Sequence, residues 1–127
     1  MKNTSRLRGF TLVELLVVVM VLGVLVAIAL PSYMSASKTA KYNVADGNAR
    51  TIASALQSIA TKSNAYPSAL SDASVANDLG GAIPNNPCSA SLGADGYTYT
   101  SVVGGVTVSA NNDVCSGYVP VTFSMKR

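Results

Sequence analysis

The sequence predicts an α+β chain in which one long N-terminal helix is followed by a small antiparallel sheet. Three observations carry that expectation. Leu15 to Leu30 is an unbroken apolar run of 16 residues, Gly23 included. Residues 32–62 keep apolar positions at helical spacing but mix them with charge. From Ser63 the composition turns to Ser, Asn, Asp, Gly and Pro, and then to short β-rich runs. At 127 residues the chain has room for one small domain and little else.

The composition narrows the chemistry. Hydrophobic residues make up 49% and charged residues 12%, against roughly 25% charge in an ordinary soluble domain. Mean hydropathy is +0.34, so part of the chain is not built to sit in water. There is no His and no Trp, and Glu14 is the only Glu. A histidine triad, a His-ligated metal and a His general base are therefore excluded. With no convergent polar cluster either, neither an enzyme nor a cofactor or metal site is expected. The formal charge of +3 and isoelectric point near 9.0 do not indicate a nucleic-acid partner, because Lys2, Arg6 and Arg8 supply all of the excess. From Phe10 onward bases and acids balance, which leaves no generic patch for a phosphate backbone.

The elements follow in chain order. Residues 1–9 are short, polar and basic. Residues 10–31 are apolar apart from Thr11 and Glu14 and end on Pro31. As a helix, Phe10 to Leu30 spans about 30 Å, one bilayer core. The preceding bases place the N-terminus in the cytoplasm and the rest outside. Thr11-x-x-Glu14 fits a capping box at the helix start. In residues 32–62, Ala45, Ile52, Leu56 and Ile59 recur on one face, with Ala49 and Ala55 beside them. Lys41, Asp46, Arg50, Gln57 and Lys62 are kept to other faces, an amphipathic pattern. Pro31 is expected to kink or break the helix between the two zones.

Residues 63–127 make the last zone. Tyr66-Pro67, Gly80-Gly81, Pro84, Pro87 and Asp95-Gly96 predict a long irregular connection up to Gly96. Tyr97–Val103 and Val106–Ala110 then predict a hairpin turning at Gly104-Gly105. A turn at Asn111-Asn112-Asp113 leads to a last run, Val114–Met125, in which Pro120 points to an edge strand or a bulge. Tyr97 and Tyr99 share one strand face, a pattern that suits sheet packing better than ligand stacking. Asp95 and Asp113 are isolated, which argues against a calcium site. The one N-x-[ST] sequon, Asn3-Thr4-Ser5, lies on the cytoplasmic side of the span.

Cys88 and Cys115 are too far apart for a C-x-x-C redox or zinc motif. As a disulfide they place this zone in an oxidising, extracytoplasmic compartment, and closing such a loop stabilises by about 3.5 kcal/mol in the chain-entropy model. Two buried free thiols are the alternative.

The front end departs from an ordinary secretory signal, since the small residue Gly9 precedes the apolar run and an acid lies inside it. Arg8-Gly9-Phe10-Thr11-Leu12-Val13-Glu14-Leu15-Leu16 resembles the N-terminal signature of type IV pilins and type II secretion pseudopilins. The resemblance is close over about the first 40 residues and is one of α-then-β order beyond, a pilin-like fold. It implies cleavage of residues 1–9 between Gly9 and Phe10 by a membrane-embedded prepilin peptidase, and N-methylation of the new Phe10 amine. Glu14 matches the residue that pairs with the Phe amine of a neighbouring subunit during assembly. Gly23 and Pro31 match positions that bound a locally melted helical segment in assembled pili. The cysteine pair resembles the disulfide-bounded C-terminal loop of many pilins, whereas the acidic Asp-Pro-Trp loop of major pseudopilins is missing.

The resemblance further implies a subunit that waits in the inner membrane and then stacks by its N-terminal helix into an extracellular filament. A cytoplasmic assembly ATPase and an inner-membrane platform would supply the work. The expected product is a type IV pilus used for twitching motility, adhesion or DNA uptake. Two alternatives stand beside it: a type II secretion pseudopilin, and a minor pilin that displays its sheet as a binding module.

Overall fold

The computed structural model describes residues 9–126; the expected leader lies, except for Gly9, outside the described residues. The elements are α1 (Leu12–Ser63), α2 (Ala73–Asp78), a 3-10 turn (Gly93–Gly96), and strands β1 (Tyr97–Val102), β2 (Gly105–Ala110) and β3 (Thr122–Lys126). The chain divides into two compact units, Met1–Ala36 and Ser37–Arg127.

Helix α1 runs for 52 residues with Pro31 inside it. The one long N-terminal helix expected from the sequence is present, and the break expected at Pro31 is not: the element is continuous through the proline. Proline removes a single donor and crowds one carbonyl. The Leu-, Val- and Ala-rich turns before it and the unbroken run of helical residues after it supply enough hydrogen bonds to carry the helix through. It ends where Asn64 takes a left-handed conformation, φ 59°, the usual stop just past a helix C-terminus. Lys62, in the last turn, bonds Asp78 at 2.6 Å and holds that carboxyl below its usual range.

In the second unit, the predicted apolar stripe of α1 is the core. Ala45, Ala49, Ile52, Ala55, Leu56 and Ile59 are all buried. Ala53 and Ala60 join them, widening the stripe beyond the sequence expectation. Facing it, β2 contributes Val106, Val108 and Ala110, β1 contributes Tyr97, and Tyr118 closes one side. The sheet is antiparallel with order β1-β2-β3. Its central strand is therefore the one whose alternate residues are most fully covered.

The hairpin is real but its turn is shifted by one residue. Val102 pairs with Gly105, so Val103-Gly104 are the turn residues rather than Gly104-Gly105. Gly104 has φ 78°, which only glycine adopts without cost. Gly105 serves a different purpose, because a Cβ there would collide with the Met125 carbonyl on β3. The strand expected near the C-terminus claims the second glycine by pairing Lys126 opposite it, a register that local pattern does not give.

The last run is also shorter than expected. Only Thr122–Lys126 is strand, paired along β2 alone, so the edge position read from Pro120 holds for the strand that follows it. Residues 114–121 are instead taken up by Cys115, by Gly117 at φ 84° and by Pro120. The 63–96 connection is irregular except for α2 and the 3-10 turn. Leu70 and Val75 anchor it to the core, and Asp72 braces it by accepting from Ser68 Oγ and the Ala69 amide.

Candidate functional site

The N-terminal end of α1 forms the capping box read from the sequence. Thr11 is the residue before the helix, and Glu14 is its third residue. The Thr11 amide donates to Glu14 Oε2 at 3.0 Å and its hydroxyl donates to the same oxygen at 2.9 Å. In return the Glu14 amide donates to Thr11 Oγ1 at 3.2 Å. The helix therefore starts two residues past Phe10, leaving the Gly9–Phe10 peptide outside it. Gly9 has open space where a Cβ would stand, and Phe10 is 84% exposed.

Beyond the cap, the large side chains from Leu12 to Leu30 are exposed by half or more. The helix is long and apolar enough to cross a membrane, with a window hydropathy of 3.0. Gly23 lies within this stretch and Pro31 just past it, both helical.

In the second unit, Cys88 and Cys115 form a disulfide, so the thiol alternative falls. The staple is reinforced by polar bonds. Asn86, the one buried polar residue of the described chain, donates to the carbonyls of Gly96 and Asn111 and accepts from the Cys88 amide at 2.9 Å. The Cys88 carbonyl takes the amides of Asp113 and Val114. The loop carrying Cys115 is then fastened to α1. The Tyr118 hydroxyl donates to Asp46 at 2.6 Å and the Val121 amide to the same carboxylate at 3.2 Å. The rings of Tyr42 and Tyr118 stack at 5.1 Å, and Arg50 lies 5.6 Å from the Phe123 ring centre. Burial, together with the Asp46 carboxylate, pushes the Tyr118 hydroxyl well above its usual pKa.

Sequence reasoning missed Asn86, Tyr42 and Tyr118, and left Asp46 among the solvated residues. The nearest local signal was Asn86 in the Pro-Asn-Asn-Pro-Cys segment, where a short amide suits a tight turn. Tyr97 and Tyr99 behave as sheet packing. Their hydroxyls donate to the carbonyls of Pro84 and Pro67, and burial raises both pKa values. Asp113 accepts from Ser89, and among the described residues no group of three His, Cys, Asp or Glu is placed to hold a metal ion.

Comparison with known proteins identifies this arrangement. Residues 4–30 match the family described as the prokaryotic N-terminal methylation motif. The chain is 32% identical over 106 residues to the type IV narrow pilus major component PilA5 of Thermus thermophilus, covering 84% of this chain and 80% of that one. It is 47% identical over 60 residues to the type II secretion system core protein G of Pseudomonas aeruginosa. A further relative is the type IV major pilin protein PilA of Myxococcus xanthus, at 36% over 61 residues. The matched stretch covers 42% of the Pseudomonas protein and 28% of the Myxococcus protein. No solved structure matches. The chain belongs to the type IV pilin and prepilin-like family, whose members include type II secretion pseudopilins. Membership implies membrane anchoring through α1 followed by self-polymerisation into a filament.

Proposed function

We propose that the protein is a structural, non-catalytic subunit of a type IV pilus. The observation that carries this over the pseudopilin reading is the reach of the similarity. The match to the Thermus pilus component covers 84% of the chain, too much to be confined to α1, whereas the match to the secretion protein covers 47%. The disulfide-stapled loop points the same way. The 47% identity over that shorter stretch is what favours the pseudopilin as second reading.

In this account the prepilin peptidase cuts between Gly9 and Phe10, a bond the capping box leaves outside the helix, and the Phe10 amine is methylated. The subunit then spans the inner membrane, N-terminus cytoplasmic and residues 37–127 outside. Glu14 explains why the cut is useful. Its carboxylate sits in an apolar stretch, where a charge is costly unless it is paired. Thr11 satisfies it only with neutral donors of its own chain. The amine freed at Phe10 of a neighbouring subunit supplies the missing positive charge and fixes the axial offset between otherwise featureless helices.

The apolar surface of α1 is covered by lipid first and by neighbouring helices later. Lipid already keeps that surface from water, so assembly needs outside work from the ATPase and platform. A heterologous contact that does not close gives an open filament. Gly23 and Pro31 weaken the segment between them, which melts in the filament and stays helical in the bilayer, where unpaired backbone is not tolerated.

Intact-mass measurement of filaments sheared from cells tests the account. The expected mass is that of Phe10–Arg127 with one added methyl and two hydrogens lost at Cys88 and Cys115. A processed chain found only in the membrane fraction would favour the pseudopilin, and a chain beginning at Met1 would overturn the processing scheme.

A further inference from the structure

Two bases of the second unit border a built groove. Lys38 and Lys41, about one turn apart on α1, flank a groove of about 180 Å3 whose other walls are Tyr42, Val114, Cys115 and Ser116. The far wall is held in place. The disulfide fixes Cys115, and the Tyr42 hydroxyl donates to the Ser116 carbonyl at 2.8 Å. Val114, which lines the same groove, stands 60% exposed. The sequence has no acid between Glu14 and Asp46. Asp46 itself is engaged by Tyr118 and Val121, and Asp113, on the facing loop, by Ser89.

Paired bases against an apolar wall suit an anion that carries an apolar body. Sequence spacing names one. Tyr33 and Met34 prolong the apolar stretch past Pro31, and Lys38 and Lys41 follow Met34 by one and two helical turns. Counted from Met34, Lys38 is about 6 Å and Lys41 about 10 Å further along the helix, so the first lies within a headgroup layer of about 5–8 Å and the second just outside it. Tyrosine favours the same layer, and lysine stems reach back along apolar surface towards it. A small hydrated phosphate would gain nothing from Val114.

We propose that Lys38 and Lys41, with the groove beneath Val114–Ser116, bind the phosphate of an anionic phospholipid while the subunit resides in the membrane. The inference rests on the membrane-spanning reading given above. The site marks a step in the subunit's life, since the lipid must be shed when the chain leaves the bilayer.

The test uses the full chain in bilayer nanodiscs of equal phosphatidylcholine and phosphatidylglycerol, with retained lipid counted by native mass spectrometry. Phosphatidylglycerol should be retained about thirtyfold over phosphatidylcholine, the scale expected for two bases at an anionic surface. Lys38→Gln with Lys41→Gln should bring the ratio to parity, and Lys126→Gln should leave it unchanged. The amide resonances of Val114 and Ser116 should shift with phosphatidylglycerol in the native chain only. A preference that survives the double substitution, or displacement of the lipid by millimolar inorganic phosphate, would overturn the proposal. Entry into the disc with no preference overturns it alone, whereas failure to enter overturns the membrane-spanning reading as well.

Discussion

Residues 15–30 and 45–60 belong to one helix and share a vocabulary of Leu, Ile, Val and Ala, yet their side chains meet opposite surroundings. Leu22 is 54% exposed and Leu56 is 0% exposed. Both need cover from water, at roughly 25 cal/mol per Å2 of apolar surface. The difference lies in the angular spread of the apolar positions. Between 45 and 60 they form a stripe with Arg50, Ser54 and Gln57 on the other side, and a three-stranded sheet can cover a stripe. Between 15 and 30 they go all the way round, and only lipid or a ring of other helices can cover a cylinder. One helix thus serves both as the wall of a folded unit and as a surface left for something outside the chain.

The comparison breaks first at Glu14. Glu14→Ala should abolish filaments while membrane insertion stays intact, and should leave the unfolding of the second unit at its native midpoint. Normal filaments from this variant would remove the charge-pairing account and leave Glu14 as a cap alone, a loss of about 1 kcal/mol to the helix start.

Paired truncations sharpen the contrast next. Leu56→Ala should destabilise the second unit by about 3–5 kcal/mol, the range for a fully buried leucine. Leu22→Ala should move that unfolding by less than about 0.5 kcal/mol. Denaturant titration in detergent, followed by tyrosine fluorescence, reads both. Equal effects would mean that the two stretches share a folding unit after all.

The staple comes third. Replacing Cys88 and Cys115 together by Ser should lower stability by about 3.5 kcal/mol, as expected for a 27-residue separation. Insertion of α1 should be unaffected. Because Asn86 and the Asp46 carboxylate hold the same loops, the chain should still fold, and loss of all cooperative unfolding would show that these bonds depend on the disulfide.

The smallest effect is alkaline. Tyr97, Tyr99 and Tyr118 hold their protons more tightly folded than unfolded. The stability they contribute is complete below the ordinary tyrosine value of about 10 and declines as pH rises above it. The denaturation midpoint should fall on going from pH 9 to about pH 11, and Tyr118→Phe should flatten that slope. A slope unchanged in the variant would place the titration elsewhere.

Sequence alone determined the α-then-β order, the capped start of α1 at Thr11 and Glu14, its apolar span, and its buried stripe from Ala45 to Ile59. These rest on short-range patterns: a cap needs residues three apart, and a helical face repeats every three or four. What the tertiary structure decided depends on groups distant in the chain. The hairpin turns at Val103-Gly104 because Gly105 is paired into the sheet on both sides, with Val102 and with Lys126. Residues 114–121 are loop rather than strand because the disulfide and Asp46 hold them. Tyr118 is buried in the core, where a helix residue 72 positions earlier accepts the hydrogen bond from its hydroxyl. Local spacing carries none of this information, since hydrogen bonds and steric contacts between remote segments exist only once the chain has folded.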